Sequence, residues 1–428
     1  MGRKDKKYLG VFMSKINQNI YNKIGELGVY IYTLSLFISK SGVSIGLGFL
    51  VLAFLLYLWD KRKINLIIEE KYILVILILL PIFSLFSAGG THSFQRALEK
   101  SYRYIGLFFI PYFLCKDRVV KIVLSLFSLS IIISFINGIL YYKKIKWNFN
   151  VRFLSFSSNT LDEAHILAMG SMLILVAIIY YIKERKYIFT LLYTLTLILA
   201  VSALVMTQGR GAWLGFIVAL FVVLFFLFRN KKLFVIVTIL LLLSGYGVIN
   251  SKVLENNKYI KRIESITNTE ATSPKVRLLL WESSIDMFKN NLPFGVGRDN
   301  ASKYALEYME KNHKYDEMKN KWAKVHLKEI AGSGNLHSMY FTSLAEEGIL
   351  AFPFIWMFLF ILYKQFRYCI ARERDLNFYL VVGTMGMLVA FLVGGLTENV
   401  WREIWKSNVL VFSLGLYLSR VKSENWRV

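Results

Sequence analysis

Apolar runs near the length that crosses a hydrocarbon core, about 20 residues, recur along most of the chain and alternate with short basic clusters. This pattern predicts an all-α, polytopic membrane protein with about twelve transmembrane helices. The first and fourth runs are short, so each is expected to be a tilted or re-entrant helix. The predicted spans are 26–39, 42–59, 72–88, 102–115, 119–141, 161–182, 187–206, 211–228, 233–249, 337–363, 377–396 and 404–419.

One long hydrophilic stretch interrupts this pattern and divides the chain into three parts. Ser273 and Pro274 within it are typical of an N-cap and a first helical residue, and apolar residues then recur at steps of three and four. This loop is therefore predicted to be helical and to lie over one end of the bundle. The parts are helices one to nine in 1–249, the loop in 250–336, and helices ten to twelve with a C-terminal tail in 337–428.

Charge placement predicts the orientation of the chain. The net charge of +24 would favour nucleic acid in a soluble protein, but 56% hydrophobic residues exclude that class, so no nucleic-acid partner is expected. Basic residues concentrate in the N-terminal tail and in every second gap between spans. The positive-inside rule therefore places both termini in the cytoplasm and the 250–336 loop on the outer side, with membrane lipids as neighbours.

Three arginines at predicted outer boundaries are candidates for binding an anionic ligand. Arg152 precedes helix six, Arg210 lies between helices seven and eight, and Arg277 begins the first loop helix. An arginine at such a place is often an interfacial anchor that extends to lipid headgroups. The alternative is that several guanidinium groups converge on a phosphate or diphosphate, which they bind bidentately. Glycines on both sides of Arg210 favour a close approach of backbone to a bulky ligand.

A histidine and several carboxylates are the candidates for acid–base chemistry. His337 is predicted in the first turn of helix ten, where the positive end of a helix dipole favours the neutral ring that a general base needs. His165 in helix six is a second candidate base. Glu346, Glu347 and Glu398 are possible partners for the histidine or for a sugar hydroxyl, although capping or surface roles are equally open.

No metal or cofactor is expected from the sequence. The two cysteines, Cys115 and Cys369, fall at predicted cytoplasmic helix ends, and no cysteine or histidine pair has the spacing of metal ligands. Any negative charge on a substrate is therefore expected to meet arginine rather than a metal ion.

Four segments resemble, in order, the O-antigen ligase and polymerase superfamily of bacterial membrane glycosyltransferases. Thr207–Gly215 is similar to its Ser-Arg-Gly segment, with Gly209 where serine is usual. Arg277–Gly297 resembles its Arg, Trp and Pro-x-x-Gly-x-Gly signature, and Asn335–Gly348 its histidine segment. Arg152–Ala164 is similar to a weaker upstream element. The resemblance covers about residues 150–400.

The resemblance implies a GT-C-like helical fold and a site on the periplasmic face of the bacterial inner membrane. It implies that a glycan moves from undecaprenyl diphosphate to a hydroxyl of lipid A–core, with inversion and without a metal. Arg210 and Arg277, with Arg152, would bind the diphosphate, and His337 would deprotonate the acceptor.

Two alternatives remain open at this point. A polymerase would use the same donor but extend a growing glycan that is still attached to its lipid carrier. A flippase or other transporter belongs to a different class, and the long outer loop and the lack of a clear two-half hydropathy repeat argue against it.

Overall fold

The computed structural model describes residues 3–61, 64–148, 150–157, 159–249, 272–318 and 321–425. The first part of the predicted loop, residues 250–271, lies outside the described residues. The chain is 82% helical, and the described residues contain no strand. The predicted all-α class is therefore confirmed.

Seventeen α-helices occur in the part of the chain that the structure describes, together with three 3₁₀ turns at Tyr102–Ile105, Lys314–Glu317 and Gly348–Leu350. The helices are α1 Arg3–Ser35, α2 Lys40–Lys61, α3 Ile68–Phe86, α4 Gly90–Ser101, α5 Gly106–Phe113, α6 Asp117–Lys144, α7 Thr160–Lys183, α8 Tyr187–Met206, α9 Arg210–Leu227, α10 Lys231–Ile249, α11 Thr272–Asn290, α12 Ala301–Lys311, α13 Lys321–Ser333, α14 Met339–Glu347, α15 Ala351–Ile370, α16 Leu376–Gly394 and α17 Ile404–Asn425.

Seven stretches among the described residues are long and apolar enough to cross a membrane. They are α2, α6, α7, α8, α9, the α14–α15 stretch and α16. Exposed apolar side chains on α8, such as Ile188, Leu191 and Leu195, suit contact with lipid rather than water. The total of twelve spans stays a prediction, and so does the placement of the long loop outside the membrane.

α7 and α16 form the centre of the bundle. They pack against each other and against α9, and α17 packs on both. Nearly all of α16 is buried, so its side chains face other helices, whereas α8 and α9 keep an apolar face outward. Close packing at the centre holds these helices in place. At one end of the bundle α7, α9 and α17 begin, and α8 and α16 end. We call it the site end.

The predicted tenth span, 337–363, was wrong in one respect, because it is not a continuous helix. α14 stops at Glu347, and a 3₁₀ turn leads into α15. Gly348 at the break has a φ of 57°, a conformation that an L side chain seldom adopts. The short fourth span, predicted as 102–115, is a 3₁₀ turn followed by the eight residues of α5.

The described part of the loop has a small core of its own. Val276 and Leu280 of α11 pack with Met309 of α12 and Leu327 of α13, and Leu336 completes the cluster. α11 also packs on α14. The predicted helical character of the loop agrees with these residues, and the contact with α14 brings the loop to the bundle.

Candidate functional site

A cavity of about 230 Å³ lies at the site end between α9, α11 and the segment after α16. Arg210 and Arg277 both line it, so two arginines that are 67 positions apart in sequence share one cavity. Its other lining residues are mainly apolar: Gly211, Leu214, Pro274, Leu278, Trp281 and Thr397. The cavity therefore offers cationic groups beside an apolar wall.

The α8–α9 corner places Arg210 at the first position of α9. The indole Nε1 of Trp213 donates to the carbonyl of Leu204 at 2.9 Å, which ties the two helices together. Because the first N–H groups of a helix lack intrahelical acceptors, the start of α9 adds partial positive charge beside the guanidinium. The corner thus concentrates positive potential at the cavity.

The glycines on either side of Arg210 also pack against protein, and Gly211 lines the cavity as well. A Cβ at Gly211 would overlap Thr397, and one at Gly209 would lie 2.8 Å from the Cβ of Ala164. Glycine is thus needed for α9 to approach α7 and the segment after α16. Close helix packing also gives a reason why a serine would be crowded at position 209.

His337 precedes helix α14, so its predicted position inside the first turn was wrong. Ser338 is the N-cap of α14, and its hydroxyl accepts from the Phe341 N–H. His337 has a φ of 50°, in the left-handed region that few non-glycine residues occupy. Its N–H donates to Asn335 Oδ1 at 2.9 Å. A turn held by side-chain hydrogen bonds, rather than the helix, therefore sets the position of the histidine.

Glu398 is the carboxylate that meets this histidine. His337 Nδ1 lies 3.4 Å from Glu398 Oε2, and Asn335 Nδ2 donates to Glu398 Oε1 at 2.9 Å. Burial alone would raise the pKa of Glu398, but contact with His337, the charge of Lys406 and the Asn335 hydrogen bond hold it well below its usual range. Glu398 is therefore a carboxylate at neutral pH, suited to orient the imidazole and to stabilise its protonated form.

Thr397 connects the histidine to the arginine cavity. It lines the cavity with Arg210 and Arg277, and the next residue is Glu398. The backbone after His337 is attached to the same segment, because the Met339 N–H donates to the carbonyl of Gly395 at 2.8 Å. The histidine–glutamate pair and the arginine cavity are thus neighbours along one short stretch of chain.

Arg152 and His165 lie near the cavity but are not among its lining residues. Arg152 Nε donates to the Thr207 carbonyl at 2.6 Å, which supports the α8–α9 corner. His165 is buried in α7 against Gly394, where a Cβ would lie 2.6 Å from its Nδ1. Both side chains are placed to support the walls of the cavity.

Glu346 and Glu347 belong to a different arrangement, which excludes the surface role considered for them. Both are buried, and Arg298 Nη1 contacts Glu347 Oε1 at 2.5 Å. Arg402 Nη1 lies 3.3 Å from Glu346 Oε1, and its other nitrogen contacts Asp299. We call this group, completed by Lys100, the ion cluster: Lys100, Arg298, Asp299, Glu346, Glu347 and Arg402.

Electrostatic balance explains why the ion cluster tolerates burial. It contains three cations and three carboxylates, so each charge removed from water has an opposite charge nearby. Burial would lower the pKa of Arg298, yet Glu347 and Glu346 raise it above its ordinary value. These residues therefore do not orient His337, and they hold two parts of the chain together.

The turn at 293–297 interlocks with the end of α14 directly beside the ion cluster. The Val296 N–H donates to Ala345 O at 2.8 Å, and the Gly297 N–H donates to Glu346 O at 3.0 Å. A Cβ at Gly295 would lie 2.7 Å from Ala345 O, so this contact requires glycine. Two of the sequence segments singled out above thus meet backbone to backbone.

Several residues that build the site were not identified from the sequence. Arg298, Asp299 and Arg402 are charged residues in polar segments, where solvated positions are the ordinary expectation. Lys406 of α17 forms a buried pair with Asp162 of α7 at 2.8 Å. The sequence could have identified Lys406, because a lysine inside an apolar span needs a buried partner of opposite charge.

Comparison with known proteins finds a family model that matches the segment containing most of the site residues. Residues 195–356 match the family model described as O-antigen ligase. This segment is similar to the O-antigen ligase family. It includes Arg210, Arg277 and His337, whereas Arg152 and Glu398 lie outside it. The resemblance inferred from the sequence motifs is thereby confirmed, and with the apolar helices it describes a multi-pass bacterial membrane protein.

A relative of this chain is also found among curated proteins. An uncharacterized protein of Haemophilus influenzae is 25% identical over 196 residues, which are 44% of this chain and 45% of that protein. The match thus spans less than half the length of either protein.

The ion cluster generates a prediction about stability. Glu347→Ala leaves Arg298 buried beside an incomplete set of partners, and breaking a buried pair costs about 3–5 kcal/mol. We expect a clearly lower thermal unfolding midpoint for the purified protein in detergent. Replacing both residues, as Arg298→Met with Glu347→Leu, is expected to cost less than the two single changes together.

The matched control is Glu307→Ala, which removes an exposed partner of Lys303 and is expected to leave the midpoint nearly unchanged. Equal midpoints for Glu347→Ala and Glu307→Ala would show that the ion cluster does not hold the fold together.

Proposed function

We propose that this protein is an O-antigen ligase-type glycosyltransferase of the bacterial inner membrane. It transfers a glycan from undecaprenyl diphosphate to a hydroxyl of lipid A–core on the periplasmic face. The observation that carries the proposal is the single cavity lined by Arg210 and Arg277, next to the His337–Glu398 pair. The matched family does not distinguish the ligase from a polymerase, which uses the same donor with a growing glycan as acceptor, so the polymerase is the alternative function.

The donor fits the chemistry of the cavity. Undecaprenyl diphosphate is an anionic group on a long apolar chain, and the cavity combines two guanidinium groups with Leu214, Leu278 and Trp281. Guanidinium forks bind phosphate oxygens bidentately, and the start of α9 adds favourable potential. The arginines hold the diphosphate, and the apolar wall receives the beginning of the lipid.

The reaction is a displacement at the anomeric carbon of the donor glycan. His337 accepts the proton of the acceptor hydroxyl, and the oxygen attacks the anomeric carbon from the face opposite the diphosphate. The bond between that carbon and the phosphate oxygen breaks, and its electron pair leaves on undecaprenyl diphosphate. Arg210 and Arg277 neutralise the charge that develops on the leaving group, and inversion follows from the single displacement.

Glu398 has a positioning role in this scheme. Its carboxylate contacts Nδ1 of His337, which leaves Nε2 for the acceptor hydroxyl. Asn335 joins the two, because its side chain accepts from the backbone N–H of His337 and donates to the carboxylate. The negative charge stabilises the imidazolium that forms when the proton is taken up.

The diphosphate role predicts that lysine cannot replace either arginine. Arg210→Lys and Arg277→Lys keep the charge but lose the planar fork, so donor affinity is expected to fall in each variant. Binding of undecaprenyl diphosphate to the purified protein measures this directly. Arg96→Lys, at an exposed position, is the matched control. Unchanged affinity in both cavity variants would remove the diphosphate assignment.

The base role predicts that His337→Ala loses turnover and keeps donor binding. Removing a general base costs about two to four orders of magnitude in rate, whereas the arginines retain the donor. Transfer from purified undecaprenyl-diphosphate-linked glycan to lipid A–core in liposomes is the measurement. His92→Ala, at an exposed histidine, is the control. Glu398→Gln is expected to lower the rate by less, because the imidazole remains.

Near-normal transfer by His337→Ala at equal protein levels would eliminate the histidine as the base. It would direct attention to the other buried groups at the site end, beginning with His165.

A further inference from the structure

A second, larger cavity lies at the site end beside the last turns of α6. Its volume is about 530 Å³, and its lining is rich in amide, hydroxyl and ammonium groups. The lining residues are Asn137, Leu140, Tyr141, Lys143, Lys144 and Ser155. None of these belongs to the arginine cavity, so this is a separate place on the molecule.

Hydrogen bonds place this lysine cavity at the same end of the bundle as the proposed reaction. Ser155 in its wall follows Arg152 by three positions, and Arg152 donates to Thr207 at the α8–α9 corner. The Phe153 N–H also donates to the Met206 carbonyl at 3.0 Å. The segment that forms one wall of the lysine cavity is thus attached to the corner that carries Arg210.

The concentration of cations here is unusual for its predicted location. Lys143, Lys144 and Lys146 fall within four residues, on the side of the membrane where the positive-inside rule disfavours lysine. Lys143 and Lys144, in the last turn of α6, line the cavity and gain some stabilisation from the helix dipole, whereas Lys146 lies beyond that helix and outside the lining. Among the described residues, no carboxylate forms an ion pair with any of the three.

Neutral polar groups and an aromatic ring accompany these cations. Asn137 Nδ2 contacts Ser155 Oγ at 3.5 Å, a long contact that a ligand hydroxyl can replace. The indole of Trp147, which lies directly after Lys146 and outside the lining of the cavity, is half exposed. Amides and hydroxyls bind sugar hydroxyls, an exposed indole packs on the apolar face of a sugar ring, and ammonium groups bind carboxylate or phosphate.

We infer that the lysine cavity binds an anionic saccharide, one that carries carboxylate or phosphate groups. The inference rests on the proposed function, in which glycans are handled at this end of the bundle. It adds a site that recognises the negative charge of the glycan and lies apart from the bond that reacts. An anchoring role for the lysines at lipid headgroups is the competing explanation, and the experiment separates the two.

The experiment measures binding of a fluorescent oligogalacturonate to the full-length protein in phosphatidylcholine nanodiscs, with a neutral maltooligosaccharide of equal length as comparison. We expect the acidic probe to bind more tightly. Combined Lys143→Gln, Lys144→Gln and Lys146→Gln is expected to weaken it about tenfold, the joint effect of three modest ion pairs. The matched control changes three exposed cations at the opposite end of the bundle: Arg185→Gln, Lys186→Gln and Lys232→Gln.

Equal affinity for the acidic and neutral probes, or equal affinity of the triple variant and the unaltered protein, would overturn the inference. A triple variant that keeps its affinity for the probe, but no longer copurifies with the phosphatidylglycerol that the unaltered protein carries, would also overturn it. The lysines would then be lipid anchors. Binding by His337→Ala separates the two proposals. Probe binding requires no turnover. If His337→Ala loses glycan transfer but still binds the probe, that result concerns only the proposed reaction and not the lysine cavity.

Discussion

The contact between the 293–297 turn and the end of α14, fixed by the ion cluster, is the constraint on which the rest of the site depends. α11, which carries Arg277, precedes the turn, and α14 begins two residues after His337. Backbone hydrogen bonds to Ala345 and Glu346 set the spacing between these two helices. Arg298 then closes the junction through Glu347. The arginine cavity and the histidine keep a fixed relation because one junction holds both supporting helices.

Two groups of charged residues at the site end have different surroundings. The ion cluster is balanced, with each carboxylate close to a cation, so its members stabilise one another and gain little from a ligand. In the arginine cavity, Arg210 and Arg277 stand beside apolar residues, where positive charge gains most from an anionic ligand. The ion cluster therefore has a structural role, whereas the arginine cavity is the place proposed for the donor diphosphate.

The sequence predicted the helical class, the helical loop and the residues that gather at the site end, because apolar periodicity and ionisable residues at span boundaries are local signals. It did not predict that α14 stops at Glu347, since the break depends on the turn at 293–297 packing against it. The purpose of the glycines beside Arg210 was likewise hidden, because their neighbours, Thr397 and Ala164, come from distant parts of the chain. Glu398 was one of several possible partners for His337, and only the fold distinguishes it from Glu346 and Glu347.

The central claim is that the two arginines hold the donor diphosphate next to the histidine that starts the reaction. Structure determination of the purified protein with undecaprenyl diphosphate in nanodiscs tests it most directly. The account predicts diphosphate density between Arg210 and Arg277, with the lipid leaving along Leu214 and Leu278 and the glycan side directed toward His337. Diphosphate density at another place on the bundle, with the arginine cavity holding no ligand, would contradict it.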